Sequence, residues 1–249
     1  MRARLAAHAL LALALAAGAT VARAAEVEIN PVVVSLGPGT KSAIVTVKNL
    51  GAEPARFELQ ARAWGQSPAG EMLLSATEDV AVFPPLLTLA PGEQRNVRIG
   101  AVVAPGPVEK TYRVFLQELA PPEKPEGPSQ VRVLSRIGLP VFVAPPQVQD
   151  RTLIKGLAVA GGRARFQLVN DGNAHVRPTS VKVEGQGEDG APVLERELTA
   201  WYVLAGGRRD YDLELPRDAC AGVRKVVVTV AVGRDVLRSE ASAPAACGP

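Results

Sequence analysis

The chain has 249 residues, 47% hydrophobic and 21% charged, with 23 Gly, 21 Pro and only 4% aromatics. That length suffices for two ordinary domains with a buried core each, and the composition excludes a disordered, collagen-like or coiled-coil chain. Two His and two Cys are too few for a His-rich metal cage or a disulfide-dense miniprotein.

The first element is residues 1–24. Arg2 and Arg4 open it, a Leu- and Ala-rich run extends from Leu5 to Ala17, and Ala22-Arg23-Ala24 puts small residues where a signal peptidase reads. This three-part pattern predicts a secretory signal cleaved after Ala24. The apolar run is too short and too Ala-rich to span a bilayer of about 30 Å. Cleavage would take three of the 28 basic residues and leave 25, equal to the 25 acidic ones. The formal charge of +3 therefore gives no support for nucleic-acid binding or an anionic membrane surface. No later stretch reaches spanning length, so the expectation is an exported chain with no membrane insertion of its mature part. The short apolar region and the arginine start suit a bacterial periplasm.

Beyond the signal the pattern alternates with period two. Val27 and Ile29 lead into Val32-Val33-Val34; Ala43, Val45 and Val47 alternate with Ile44, Thr46 and Lys48; Phe57 and Leu59 alternate with Glu58 and Gln60. Val97 and Ile99 follow the turn Ala90-Pro91-Gly92-Glu93, Tyr112 to Leu119 form another run, and Val131 to Val143 a long one. Each run is rich in β-branched residues and bounded by Gly, Pro or Asn, and none carries a sustained helical stripe. The rhythm breaks at Ala144-Pro145-Pro146-Gln147 and restarts with runs from Leu153, Ala164, Ser180, Val193, Tyr211, Val223 and Val236. The reading is all-β: two β-sandwich domains, 25–145 and 148–249, of immunoglobulin-like type ahead of a jelly roll, which strand rhythm does not separate, joined by a stiff Pro-Pro elbow.

Catalytic signals are weak. His8 leaves with the signal, and His175, in the turn Asn170-Asp171-Gly172-Asn173-Ala174-His175, reads as a solvated loop residue rather than a base or lone metal ligand. Gly185-Gln186-Gly187-Glu188-Asp189-Gly190 matches a dinucleotide fingerprint in letters only. A β-like run follows instead of a helix, and its acids would repel a phosphate, so it reads as a hairpin turn. Cys220 and Cys247 both lie in the second domain, and export favours a disulfide between them. No metal site, cofactor or catalytic residue is expected.

Several stretches in order resemble the periplasmic pilus-assembly chaperones of the chaperone–usher pathways, the PapD-like fimbrial chaperones. They are Ile29-Asn30-Pro31; Ser42 to Asn49; Phe83-Pro84-Pro85-Leu86; Leu89-Ala90-Pro91-Gly92-Glu93 with the strand after it; Tyr112-Arg113-Val114-Phe115 onward; and Val131 to Val143. The resemblance implies two immunoglobulin-like domains in a boomerang, and a function without catalysis. The chaperone binds and caps a pilus subunit that lacks its final strand, lending its own strand until the subunit reaches an outer-membrane usher. A lent strand needs apolar side chains on one face; here Val131, Val133, Ser135 and Ile137 share that parity. The family also holds the subunit's C-terminal carboxylate with two basic residues. This sequence has Val32-Val33-Val34 and Gly138 where the best-known pattern has Arg and Lys, so Arg113 and Arg136 are the candidate anchors, ahead of Arg132. The departure resembles a divergent, archaic-type branch. The rival reading is a secreted structural or adhesive β-sandwich protein, or a pilus component itself.

Overall fold

A computed structural model describes residues 25–121 and 133–243. The signal segment, Val131 and Cys247 lie outside the described residues. The first domain is built from β1 (Val27–Asn30), β2 (Val34–Leu36), β3 (Ser42–Asn49), β4 (Ala55–Gln66), β5 (Met72–Ala76), β6 (Val80–Phe83), β7 (Leu86–Leu89), β8 (Gln94–Ala101), β9 (Lys110–Glu118) and β10 (Arg136–Val143). One sheet has the order β1-β3-β8-β6; the other has β2-β10-β9-β4-β5, with β7 also pairing with β4. The alternation read from the sequence becomes the sandwich core. Val45, Val47, Val97 and Ile99 from one sheet meet Phe57, Val114, Leu116 and Val141 from the other, all at most 1% exposed. Fully burying one such side chain is worth about 1.5–3 kcal/mol.

The second domain contains β11 (Thr152–Ala160), β12 (Arg163–Asn170), β13 (Pro178–Gln186), β14 (Pro192–Leu198), β15 (Arg208–Glu214), β16 (Lys225–Val232) and β17 (Asp235–Ser242), with a single helical turn α1 (Arg217–Cys220). Its sheets run β11-β12-β15 and β14-β13-β16-β17. The glycine-rich stretch is the hairpin between β13 and β14: Gly187 N donates to Ala191 O at 2.9 Å, and Gly190 has φ of 79°. Glu195, on β14, is salt-bridged to Lys182 at 2.7 Å on the solvated face.

The domains share one device. Asn49 and Asn170, each at the end of a strand and 0% exposed, stand two residues before a glycine. Asn49 Nδ2 shares its hydrogens among the carbonyls of Glu53, Leu89 and Ala90 at 2.7–3.3 Å, and its Oδ1 accepts from Gly51 N at 2.9 Å. Asn170 repeats this with Ala174, Val203 and Leu204 at 2.7–3.2 Å and Gly172 N at 3.0 Å. Each amide ties one turn N–H and three turn carbonyls together, adding to backbone bonds such as Val176 N to Val203 O and Glu93 N to Ala90 O.

The elbow is tied across the domains. Asn173 Nδ2 donates to Pro107 O and Gln147 O at 2.9 and 2.8 Å, and Glu109 N donates to Asn173 O at 2.8 Å. Gln66 Nε2 donates to Tyr202 O at 2.7 Å. His175 corrects the sequence reading: it is not a solvated loop residue. Its ring stacks on Phe142 at 3.6 Å, and both its backbone N and Nδ1 lie 2.8 Å from Oε2 of the buried Glu109. Besides the two prolines, this clasp and its aromatic neighbours Trp64, Phe142 and Tyr202 tie the joint.

Replacing Asn170 by Ala strips partners from three carbonyls and one N–H. It should lower the unfolding free energy by about 2–4 kcal/mol in urea titration, with Asn49→Ala costing a similar amount in the first domain. His175→Ala should weaken the interdomain clasp by about 1–3 kcal/mol. The check is a faster rate of limited proteolysis in residues 144–151; an unchanged rate would assign the stiffness to the prolines.

Candidate functional site

β9 is the central strand of the larger sheet, and its residues from Tyr112 to Leu116 are buried on both faces. Tyr112, Val114 and Leu116 belong to the sandwich core. Arg113 and Phe115 point the other way, onto a sheet face that the second domain partly covers. Arg113 is 6% exposed. Its guanidinium lies 4.1 Å from the Trp64 ring and 5.6 Å from that of Trp201. Nη1 donates to Gly138 O at 3.1 Å. Among the described residues, Nε and Nη2 are buried without a hydrogen-bond partner, as is Nε1 of Trp64. Burial pulls the Arg113 pKa below the ordinary guanidinium value, and Tyr202 pulls the other way.

Three buried donors with no acceptor form an unbalanced set. Such donors suit an acceptor group, and a carboxylate matches a guanidinium in shape as well as charge. The residues directly opposite Arg113 on the flanking strands are Pro140 of β10 and Arg62 of β4. Neither is acidic; Arg62 is half-buried, and its Nη2 donates to Gln60 Oε1 at 3.0 Å. Arg177 extends the basic character across the cleft, 5.3 Å from the Tyr202 ring.

Arg136 lies on the same sheet face as Arg113 but opposite Gln117. Four residues of strand separate it from Pro140, about 13 Å at 3.3 Å per residue. It is exposed, and its guanidinium lies 4.0 Å over the Phe115 ring. The structure therefore does not bring Arg113 and Arg136 together; the strand register sets Arg62 opposite Arg113. Only the strand register reveals that neighbour. Gly138 sits beneath Phe115: a Cβ there would lie 2.9 Å from the ring. A lysine at that position would have to displace the ring.

The candidate donor residues run along the start of β10. β2 pairs with β10 only at Val141–Val143, in parallel. Among the described residues, Arg136–Pro140 have β9 on one side and no strand on the other. Leu139, Val141 and Val143 are in the core, and Ile137 on the same parity is half-buried. Val133 and Leu134, before the strand, are 53% and 40% exposed. Ser135 is hydrogen-bonded to Glu118 through N and Oγ. The apolar parity thus starts inside the sandwich and runs out past its end, beside an unpaired backbone edge.

Cys220 is disulfide-bonded and 2% exposed. Among the described residues, no group of three or more His, Cys, Asp and Glu could hold a metal, and no helix is long and apolar enough to cross a membrane.

A family model described as the pili and flagellar-assembly chaperone, PapD N-terminal domain, matches residues 26–149. No curated protein matches the chain in sequence. Three solved structures share the fold. The CsuC–CsuE chaperone–tip adhesion subunit pre-assembly complex of archaic chaperone-usher Csu pili from Acinetobacter baumannii has 17% identity over 87% of this chain and 98% of that chain, with a TM-score of 0.61. The Salmonella enterica SafA pilin in complex with the SafB chaperone has 16% identity over 88% and 98%, with a TM-score of 0.57. The E. coli chaperone DraB has 21% identity over 90% and 100%, with a TM-score of 0.54.

A buried cation without a counter-ion is costly, and an apolar side chain of similar volume is cheaper. Arg113→Met should therefore raise the urea-unfolding free energy of the isolated chain by about 1–2 kcal/mol, net of the lost stacking on Trp64. A lower value would mean that the guanidinium is held for packing alone.

Proposed function

The chain belongs, through its N-terminal half, to the family of pili and flagellar-assembly chaperones, and we propose that it protects pilus subunits by lending them the strand around β10. A subunit short of one strand exposes an apolar groove and a row of unpaired N–H and C=O groups, which invites aggregation. β-Augmentation relieves both at once. The observation that carries this reading is the free edge of β10 at Arg136–Pro140, preceded by the exposed Val133 and Leu134. Ile137, Ser135, Val133 and Val131 supply the parity for the guest's groove.

Arg113 is the proposed anchor for the subunit's C-terminal carboxylate, with Arg62 beside it. The carboxylate would fill the orphan donors of the cleft and fix the frame in which the guest strand pairs, since a one-residue slip would turn its apolar face outward. Arg136, outside this pocket, is assigned a lesser part near the guest backbone. No catalytic group, cofactor or nucleotide is needed, because the subunit's own completion by a later strand drives release. Export by the N-terminal signal places this work in the periplasm, with an outer-membrane usher as the receiving partner. A pilus component is disfavoured by the family membership.

The test is co-expression with the pilus subunit encoded alongside the chain. Val131→Asp with Val133→Asp should cut subunit recovery more than about tenfold while the chaperone stays folded, since each aspartate would bring a charge into an apolar groove. Arg113→Ala should weaken subunit binding by about 2–5 kcal/mol and Arg136→Ala by less than about 1 kcal/mol. Unchanged recovery with the aspartates would refute strand lending; unchanged binding with Arg113→Ala would refute the anchor.

A further inference from the structure

Glu118 ends β9 and is 2% exposed. Its Oε2 accepts from the backbone N of Ala25 at 3.2 Å and from Ser135 N and Oγ at 3.0 Å each. In return Glu118 N donates to Ser135 O at 2.9 Å. One carboxylate oxygen thus joins the residue that follows the signal segment to the residue just before β10. Ala25 leads into β1, which pairs with β3 from Val27↔Asn49 onward, and Leu50 N donates to Glu26 O at 2.8 Å. The bond from Ala25 to Glu118 therefore links the two sheets of the sandwich at the root of the lending segment.

We propose that removal of the signal turns this contact into a charged latch, in which the new α-ammonium of Ala25 pairs with Glu118 and holds Ser135 in place. Hydrolysis of the Ala24–Ala25 peptide bond adds water across it. A carboxylate is left on Ala24, and the Ala25 nitrogen becomes an amine that takes up a proton at neutral pH. That nitrogen is already within hydrogen-bond range of Glu118. As an amide it offers one neutral N–H; as an ammonium it offers three and a full charge, and charge-assisted hydrogen bonds are about twice as strong as neutral ones. Burial of Glu118 shields the pair from salt. Glu118 is then a positioning residue: it touches no guest but sets where the lending strand begins. This last consequence rests on the strand-lending reading; the latch itself does not.

The experiment compares the processed protein, its first residue read by intact mass, with the same protein extended by Gly-Ser so that the Ala25 nitrogen stays an amide. Hydrogen exchange at the Ser135 amide, which donates to Glu118, should be about tenfold faster in the extended form. Glu118→Gln keeps an acceptor oxygen without the charge, and in that background the two N-termini should differ less than about twofold. Three results would each overturn the latch: equal protection in the two unmutated forms, a difference that persists undiminished in Glu118→Gln, or a first residue other than Ala25. If Glu118→Gln does not fold, the comparison of the two unmutated N-termini decides alone. Subunit recovery with Val131→Asp and Val133→Asp, measured separately, tells failure of strand lending from failure of the latch.

Discussion

A guanidinium held against Trp64 and Trp201, with one carbonyl for a partner, is the constraint around which this chaperone is arranged. An arginine that only stabilised the fold would find a carboxylate. Arg113 instead stands opposite Arg62 in the strand register, and among the described residues two of its donors have no partner. Keeping such a group out of water costs stability in the isolated chain. The first domain can bear that cost because β9 is clamped on its other face by Tyr112, Val114 and Leu116 in the sandwich core. The second domain can close over it because the elbow is fixed by Asn173, by Gln66 and by the bond between His175 and Glu109.

The neighbouring strand carries the complementary feature. β10 belongs to the sandwich at one end, where Leu139, Val141 and Val143 are buried and β2 covers its edge. At the other end the same parity leaves the core and the edge is bare. Charge and apolar surface are thus placed on adjacent strands of one sheet. The buried cation suits the end of a guest chain, and the open edge suits its length.

Much of this architecture is legible in the order of the residues. Period-two alternation locates most strands, because solvent on one side and core on the other leave a direct trace in residue type. The hairpin at Gly185–Gly190 is legible because glycines followed by a β-like run have few other uses. What residue order hides is everything that depends on register or on domain contact. Arg62 becomes a neighbour of Arg113 only through the pairing of β4 with β9. His175 reads as solvated because nothing local to its turn reveals that Phe142 and Glu109 arrive from the other domain. β5 escapes for another reason: Met72, Leu73 and Leu74 are all exposed, so the edge strand lacks the alternation that marks the others. The asparagine turns escape because a buried amide and a solvated one look identical in a sequence.

The ring of Phe115 across Gly138 has a consequence for how the molecule can change over generations. With that space taken, β10 leaves the buried positive charge on this sheet face to Arg113 of β9. A strand lent to clients as proposed would then be free of any fixed ionic duty in its middle, and its apolar residues could drift in step with the grooves they fill. On the proposed reading, recognition of a chain's end and fit to its interior would be separately inheritable traits, and one scaffold could acquire new clients without rebuilding the grip on their termini.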